Sequence, residues 1–317
     1  MKIVVITGCL GLIGSCVTRK CLAQGWRVLG IDSETYASNK DVILEFSKHP
    51  MFTYLKESIV NLSYLPDCDY VINLAAETHV GNSIIDSNEF LKTNVLGVHN
   101  LLNLIKNKPI NVSSRPIFIH FSTDEVYGDI ANGTHSESDM LNPSNPYSAS
   151  KASGDMFILA WGRTYSLDYL ILRPTNNYGV GQYPEKLIPL SVKSLLRGNK
   201  IRLHNEGKPV RNWLHVEDTA EAVITVINSG IRNEIFNIAG NCEQINRITV
   251  EKIIDAYLGY RPSSYDQYLD LCYSREGQDV RYALDDSKLQ SLGWQSMKIF
   301  DNEIATLVDY YKNNFRW

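Results

Sequence analysis

The sequence predicts an α/β fold: a doubly wound parallel sheet with a smaller C-terminal α/β lobe. Over the first 170 residues or so, short apolar runs alternate with longer helical patterns, which is the rhythm of such a sheet. After about residue 175, Gly, Pro and polar residues break this rhythm into shorter elements. At 317 residues the chain also exceeds the usual size of one hydrophobic core. We therefore expect a larger domain over 1–175 and a lobe over 176–317, with a soft boundary across which elements can interleave.

Six short apolar runs predict the strands of the sheet. Most are continuously apolar rather than alternating, as expected for strands that are buried on both faces. The runs are Ile3–Thr7, Arg27–Asp32, Phe52–Lys56, Tyr70–Leu74, Ile117–Ser122 and Asp168–Arg173. Helical patterns long enough for parallel crossovers lie between them, at Gly11–Gln24, Glu89–Lys106 and Tyr147–Tyr165. In the second lobe we expect helices at Glu185–Arg197, Val216–Ser229 and Val250–Leu258.

Composition and charge exclude several classes of function. A net charge of −4 gives no basic surface for nucleic acid or for an anionic membrane. The six cysteines show neither a CxxC pair nor a spacing with histidine that suits zinc, so we expect reduced thiols and no metal. No apolar run approaches the roughly 20 residues that span a bilayer, and Lys2 leads into a strand rather than a signal peptide. The expectation is a cytoplasmic protein.

A glycine-rich turn follows the first predicted strand and opens the first helix, with the sequence Gly8-Cys9-Leu10-Gly11-Leu12-Ile13-Gly14. Three glycines at this place allow a tight turn and a close backbone approach to a pyrophosphate at a helix N-terminus. Asp32 ends the second strand, where a carboxylate can accept hydrogen bonds from the adenosine ribose. No Arg follows it to accept a 2′-phosphate. The pattern predicts a dinucleotide site that prefers NAD to NADP.

Tyr147 and Lys151 lie four residues apart at the start of a predicted helix, and therefore on one face of it. A phenol with a pKa of about 10 is a poor base at neutral pH. A nearby ammonium and a cationic nicotinamide both favour the phenolate, which would lower that pKa. Such a pair alone more often marks only the surface of an amphipathic helix, so its chemical meaning depends on the other motifs.

Together with the glycine turn, the segments Asn73-Leu74-Ala75-Ala76 and Ser122-Thr123 and the Tyr147/Lys151 pair resemble the extended short-chain dehydrogenase/reductase superfamily. The resemblance covers essentially the whole chain. It implies a Rossmann fold, bound NAD and a C-terminal lobe for a nucleotide-diphosphate sugar. The cofactor contacts that it implies are Gly8, Gly11, Leu12, Ile13, Gly14, Asp32, Ser33, Thr35, Ser58, Ile59, Leu74, Ala75, Ala76, Thr93, Tyr147 and Lys151.

Within this superfamily, Thr123-Asp124-Glu125 looks like the catalytic triplet of the dTDP-glucose 4,6-dehydratases. Eliminating water needs a base for the C5 proton and an acid for the departing C6 hydroxyl, and in that family the Asp is the acid and the Glu the base. Adjacent side chains on a strand point to opposite faces, so both carboxyls reach one substrate only if the strand has ended. The implied catalytic residues are Thr123, Asp124, Glu125, Tyr147 and Lys151.

Further segments match the dehydratase pattern, among them Asn176-Asn177-Tyr178-Gly179, Arg211-Asn212-Trp213 and Asp279-Val280-Arg281-Tyr282-Ala283. The substrate contacts implied by this resemblance are Thr78, His79, Asn177, Glu185, Lys186, Leu187, Arg211, Asn246 and Arg275. Arginine and lysine suit a diphosphate. Two segments depart from the bacterial dTDP-sugar pattern, Gly81-Asn82-Ser83 and His204-Asn205-Glu206-Gly207, and look more like the UDP-glucose 4,6-dehydratases of UDP-rhamnose synthesis. The nucleotide carrier therefore stays open between dTDP and UDP.

The resemblance implies an internal redox cycle. The sugar is oxidised at C4, loses water across C5 and C6, and is reduced at C6 to a 4-keto-6-deoxy product. Two alternatives remain from the sequence: a sugar-nucleotide 4-epimerase or decarboxylase on the same fold, and a non-catalytic NAD-binding protein. By analogy with the superfamily, the helices after Phe90 and Tyr147 would form the interface of a homodimer.

Overall fold

The computed structural model describes residues 1–108, 115–274 and 279–314. In chain order, its strands are β1 (Ile3–Thr7), β2 (Arg27–Asp32), β3 (Phe52–Lys56), β4 (Tyr70–Asn73), β5 (Ile117–Phe121), β6 (Tyr169–Pro174), β7 (Asn176–Tyr178), β8 (Ile201–His204), β9 (Val210–His215), β10 (Glu234–Ile238), β11 (Cys242–Ile245) and β12 (Leu269–Tyr273). Its helices are α1 (Leu12–Ala23), α2 (Asp41–Phe46), α3 (Val80–Ile85), α4 (Asn88–Phe90), α5 (Val98–Lys106), α6 (Pro146–Tyr165), α7 (Leu187–Leu196), α8 (Val216–Ser229), α9 (Asn246–Leu258), α10 (Ser287–Gln290) and α11 (Phe300–Asn313).

In the described part of the chain, seven strands form the main sheet in the order β10-β6-β5-β4-β1-β2-β3, and every neighbouring pair is parallel. The predicted doubly wound parallel sheet is confirmed, and the six predicted strands match observed ones to within one residue at each end. The strand order reverses between β1 and β4. In such sheets a crevice opens beyond the carboxyl ends of these two strands, and ligands bind there.

Successive residues of β1 face opposite sides of the sheet, and both sides are covered. Val4 and Ile6 belong to the core beneath α1 and α8, whereas Val5 belongs to the core beneath α5 and α6. All three side chains are fully buried. This two-sided burial is the reason that the strands have continuously apolar sequences rather than alternating ones.

The chain returns to the main sheet after leaving it. β10 and α8 follow residue 175 in sequence, yet β10 pairs with β6 and α8 packs on α1. The remaining strands form a three-stranded sheet, β11-β9-β7, and a parallel pair, β12-β8, which pack with α7, α9 and α11. The division into 1–175 and 176–317 stays a prediction, with these elements interleaved. Within the described part of the chain, we find no helix with the length and apolarity to cross a membrane.

The helix predicted at Glu89–Lys106 is continuous but not uniform, because a π-helical stretch, Leu91–Gly97, joins α4 to α5. Asn94 lies within it and is buried. Its amide bonds to both backbone groups of Glu77, at 2.9 Å each, and donates to Ser150 Oγ at 2.9 Å. The wider turn therefore ties this helix to the loop after β4 and to α6, and π turns of this kind are frequent at functional sites.

Candidate active site

One cavity of about 670 Å³ lies at the carboxyl edge of the main sheet and extends between the sheet and the second lobe. Its volume falls within the roughly 300–1,000 Å³ of ordinary ligand sites. Every predicted site residue that the structure describes lines it, namely Gly8, Gly11, Leu12, Ile13, Gly14, Asp32, Ser33, Thr35, Ser58, Ile59, Leu74, Ala75, Ala76, Thr78, His79, Thr93, Thr123, Asp124, Glu125, Tyr147, Lys151, Asn177, Glu185, Lys186, Leu187, Arg211 and Asn246. Arg275 lies outside the described residues.

The turn after β1 is so tight that two of its positions require glycine. Gly8 has a φ of +68°, and a Cβ on it would lie 2.6 Å from the Ala75 amide nitrogen. A Cβ on Gly14 would lie 1.9 Å from the Gly8 carbonyl oxygen. α1 begins directly after Gly11, its N-cap, which has no side chain to cap the helix. The first N–H groups of α1 are therefore left for an anionic ligand.

Asp32, at the end of β2, is buried beside this turn. Its carboxylate accepts hydrogen bonds from the amides of Leu10 (3.0 Å) and Glu34 (2.8 Å) and from Ser38 Oγ (2.8 Å). Two lysines near this loop, at 40 and 56, form ion pairs with Glu34 at 3.5 and 2.8 Å. The glycine turn, the uncapped helix and the buried carboxylate together fit the pyrophosphate and the adenosine ribose of a dinucleotide.

The chain leaves β5 at Phe121 and then tightens into a 3₁₀ turn, Asp124–Tyr127. Thr123 caps this turn, because its Oγ1 accepts from the Glu125 amide at 3.3 Å and donates to Asp124 Oδ1 at 3.0 Å. The strand has thus ended before the two carboxyl residues. Both side chains reach the same cavity, as the resemblance requires.

Burial sets the protonation of this pair. It raises the pKa of Asp124 to about 7, and the adjacent Glu125 charge adds to the effect. Burial also raises the pKa of Glu125, while the nearby Arg211 guanidinium opposes this shift. Two like charges in one poorly solvated site disfavour double ionisation. The pair can therefore hold one proton near neutral pH, which is the state an acid and a base acting together need.

α6 begins with Pro146 and a capping box between Asn145 and Ser148, and this start places Tyr147 and Lys151 on the cavity wall. Lys151 Nζ donates to the Phe121 carbonyl at 2.5 Å, which joins α6 to the end of β5. Burial lowers the pKa of Lys151 to about 8, against the opposing charge of Asp155.

The expectation that Lys151 lowers the pKa of Tyr147 is not met by the protein alone. Burial raises the pKa of Tyr147 above its usual range, and the Glu125 charge raises it further. A hydrogen bond with Thr123 offsets only part of this shift. The physical reason is that the phenol is buried beside Glu125 and Asp124, whose negative charges disfavour the phenolate. A phenolate at Tyr147 therefore needs a further positive charge.

The second lobe brings polar side chains to the opposite wall. Lys186 Nζ donates to the carbonyl (3.0 Å) and hydroxyl (3.3 Å) of Thr78, and Glu185 accepts from Tyr36 OH at 2.9 Å. Asn177 bonds within the protein, to the Thr175 carbonyl and Thr219 Oγ1.

His79 caps α3 through Nδ1, which accepts from the Asn82 amide at 3.0 Å. Among the described residues, no group of three His, Cys, Asp or Glu side chains is arranged to hold a metal ion.

A group behind Glu125 was missed by the sequence analysis. Tyr282 OH lies 3.3 Å from Glu125 Oε2 and also donates to Asp279. The Arg211 guanidinium stacks over the Tyr282 ring at 4.7 Å and donates to the Asp279 carbonyl at 3.2 Å. The segment 279–283 resembled the dehydratase pattern but received no role. That resemblance was the available signal.

A family model described as "NAD dependent epimerase/dehydratase family" matches residues 4–239, which include the glycine turn, the 3₁₀ turn and the Tyr147/Lys151 pair. The chain belongs to this NAD dependent epimerase/dehydratase family. NAD is therefore the cofactor whose binding the glycine turn and Asp32 fit.

Curated members of the family resemble the chain over its full length. The dTDP-glucose 4,6-dehydratase of Haemophilus influenzae is 36% identical over 335 aligned residues, which cover 99% of each chain. The Low-salt glycan biosynthesis protein Agl12 of Haloferax volcanii is also 36% identical, over 97% of this chain and 98% of that protein.

Solved structures of similar proteins have the same fold as this chain. The dTDP-glucose 4,6-dehydratase DesIV of Streptomyces venezuelae, solved with NAD bound, superimposes with a TM-score of 0.91 at 36% identity and covers 99% of this chain and 98% of its own. The UDP-glucuronic acid 4-epimerase of Bacillus cereus has a TM-score of 0.90 at 24% identity, with 98% of this chain and 99% of its own covered. The second comparison shows that the fold is shared, and at this identity it carries nothing further.

Cofactor-stripped protein should bind NAD at least about tenfold more tightly than NADP, a difference of about 1.4 kcal/mol. A 2′-phosphate would meet the buried Asp32 carboxylate, while Lys40 and Lys56 already pair with Glu34. Calorimetric titration of both cofactors measures the ratio. Asp32→Asn keeps an acceptor but removes the charge, so it should narrow the ratio. Equal affinities in the unmodified protein would contradict the role of Asp32.

Proposed function

We propose that the protein is an NDP-glucose 4,6-dehydratase, a hydro-lyase that converts dTDP-glucose or UDP-glucose to the 4-keto-6-deoxy sugar. One observation carries the proposal: Asp124 and Glu125 line the same cavity as Thr123, Tyr147 and Lys151. An epimerase needs the redox residues alone, whereas elimination also needs an acid and a base. The curated dTDP-glucose 4,6-dehydratases that cover the whole chain support the same function.

The first task of the site is oxidation at C4. When bound, NAD supplies the reversible hydride acceptor that oxidation at C4 and reduction at C6 require. Tyr147 takes the proton of the C4 hydroxyl, and Thr123, which bonds to its phenol, orients it. Lys151 supplies positive charge from a fixed position, because its Nζ is held by the Phe121 carbonyl. Burial of both side chains keeps water away from this proton transfer.

The second task is elimination. The 4-ketone acidifies the C5 proton, which Glu125 removes as the C6–O bond breaks. Asp124 donates its proton to the departing hydroxyl, and water leaves. A pKa of about 7 suits Asp124 to this donation, because it still carries a proton near neutral pH. Reduction at C6 and return of the proton from Glu125 to C5 complete the 4-keto-6-deoxy sugar.

The diphosphate is held from the second lobe. Arg211 and Lys186 line the cavity on the side of Glu125, where both lower its pKa through their charge. Arg offers a planar pair of donors and Lys a point charge, and both suit phosphate oxygens. Asn177, Glu185, Leu187 and Asn246 complete this wall. The product would enter rhamnose or other deoxysugar synthesis in the cytoplasm.

We also propose that the protein is a homodimer through α5, α6 and the π-helical stretch. Leu91 and Leu96 on that stretch are 51% and 54% exposed, and Met156 on α6 is 48% exposed. Exposed apolar side chains on elements that pack against each other, as α6 and the π-helical stretch do, favour burial by a second copy. Sedimentation equilibrium should give twice the chain mass, and Leu96→Glu with Met156→Glu should give the monomer. A monomeric unmodified protein would contradict this interface.

Incubated separately with dTDP-glucose and UDP-glucose, the purified protein should convert at least one to a 4-keto-6-deoxy product. The product is read by its near-ultraviolet absorbance in alkali, and the ratio of kcat/KM values identifies the carrier. A C4-epimerised sugar with its C6 hydroxyl retained would contradict the dehydratase function. No reaction with either sugar would favour a non-catalytic NAD-binding protein.

Glu125→Gln should retain NAD binding but lose C5 proton exchange with solvent, because an amide cannot accept the proton. We expect a loss of about 10²-fold or more, the usual contribution of a general base. Asp124→Asn serves as the matched control: it removes the acid and slows dehydration, yet leaves the C5 base in place. Exchange by Glu125→Gln at the unmodified rate would contradict the role of Glu125.

A further inference from the structure

A third carboxyl residue, Asp279, lies close to Glu125 but is not among the described residues that line the cavity. Asp279 and Tyr282 are each 3% exposed, and neither is among the described residues that line the cavity. Tyr282 OH nevertheless lies 3.3 Å from Glu125 Oε2. The two buried residues therefore contact the cavity through side chains that line it, Glu125 and Arg211.

Tyr282, Asp279 and Glu125 have fewer donor protons between them than carboxylate oxygens that could accept one. Tyr282 has one hydroxyl proton but two carboxylates within reach, and its contact with Asp279 Oδ2 is the closer one. Ser144 Oγ donates to the same Asp279 oxygen at 2.5 Å. Within the described residues, the other hydrogen bond to Glu125 Oε2 comes from Asn145 Nδ2 at 3.4 Å, which is long for an N–H···O bond.

The backbone around Asp279 is fixed in place by its own contacts. Asp129 Oδ1 accepts from the amides of Val280 (2.6 Å) and Arg281 (3.1 Å). The Arg281 guanidinium forms two bonds with Glu243, at 2.8 and 3.0 Å. The position of Asp279 is therefore set by a clamp that does not involve Glu125.

We propose that Asp279 is a positioning residue for the C5 base: it holds the Tyr282 hydroxyl proton and so leaves Glu125 Oε2 weakly hydrogen-bonded and able to accept the substrate proton. The inference deepens the proposed function and rests on Glu125 as that base. A carboxylate with strong donors is a poorer base, because hydrogen bonds stabilise its charged form. Asp279 withholds such a donor from Glu125.

The negative charge of Asp279 raises the pKa of Glu125, and so does the hydrogen bond by which Asp279 holds the Tyr282 proton. Burial is the main cause that raises the pKa of Glu125, and the negative charge of Asp279 raises it further. Arg211 and Lys186 lower it. Among the described residues, the groups that face Glu125 come from five parts of the chain: Asp124 from its own turn, Asn145 and Tyr147 from the start of α6, Lys186 from the segment before α7, Arg211 from β9, and Asp279 and Tyr282 from the segment after β12.

Asp279→Asn removes this charge and lets the Tyr282 hydroxyl turn towards Glu125. Both changes lower the pKa of Glu125. Glu125 acts as a base only above its pKa, so exchange is lost as the pH falls through that value. The acid limb of the exchange profile should therefore move to lower pH, by on the order of one unit. Exchange on the plateau should slow several-fold, because the base is weaker.

The experiment follows deuterium uptake at C5 of the 4-keto-6-deoxy product in D₂O, with NAD-loaded enzyme over a range of pD. This product already carries the 4-ketone, so its exchange reports the C5 base without the oxidation step.

Tyr282→Phe should leave the acid limb of the exchange profile in place, because the hydroxyl proton that it removes is not donated to Glu125 in the unmodified enzyme. In the double variant, Asp279→Asn with Tyr282→Phe, the acid limb should shift less than in Asp279→Asn alone, because no hydroxyl remains to turn towards Glu125. Glu243→Gln is the matched control: it loosens the clamp but keeps Asp279, so it should change the rate without moving the limb.

Two outcomes would overturn the role of Asp279. One is an acid limb that stays in place in folded, NAD-bound Asp279→Asn. The other is a limb that rises by about a pH unit in Tyr282→Phe, which would mean that Tyr282 donates to Glu125 in the unmodified enzyme. The measurement on Tyr282→Phe tests the role of Asp279 even if Asp279→Asn does not fold. Absence of C5 exchange in the unmodified enzyme would instead contradict the proposed function.

Discussion

The hydrogen bond from Lys151 Nζ to the Phe121 carbonyl is the contact on which the rest of the site depends. It joins α6, which carries Tyr147, to the last residue of β5, after which come Thr123 and the two carboxyl residues. Tyr147 and the two carboxyl residues come from different elements, and this bond joins those elements. A shift of either element would separate Tyr147 from Asp124 and Glu125.

Burial disfavours the charged form of Lys151, and a buried carboxylate on the same helix offsets part of this effect. Asp155, one turn further along α6, raises the pKa of Lys151 against the effect of burial. Its carboxylate is itself held by Ser122 Oγ at 3.0 Å and by the Arg173 guanidinium at 2.9 and 3.0 Å. Removing one partner from such a buried pair costs far more than the pair contributes to stability. The network therefore supplies a fixed negative charge one turn from Lys151.

The sequence predicted the parts of the molecule that depend on local pattern. Continuously apolar runs located the first six strands, and the turn after β1 followed from glycines that only a tight turn requires. The motifs also located the described site residues, which line one cavity, although their individual roles stay predictions. Long-range contacts were beyond reach: β10 pairs with β6 from more than 60 residues away, and Tyr282 meets Glu125 across 157. The π turn in the helix after Phe90 was missed as well, because it depends on Asn94 bonding to a distant loop.

The central claim is that one cavity oxidises, dehydrates and reduces the same sugar. Its most direct test is to supply NDP-glucose that carries deuterium at C4 and to locate the label in the product by NMR. An internal redox cycle predicts deuterium in the C6 methyl group and a solvent-derived hydrogen at C5. Deuterium that remains at C4, in a sugar that keeps its C6 hydroxyl, would contradict the account and indicate an epimerase.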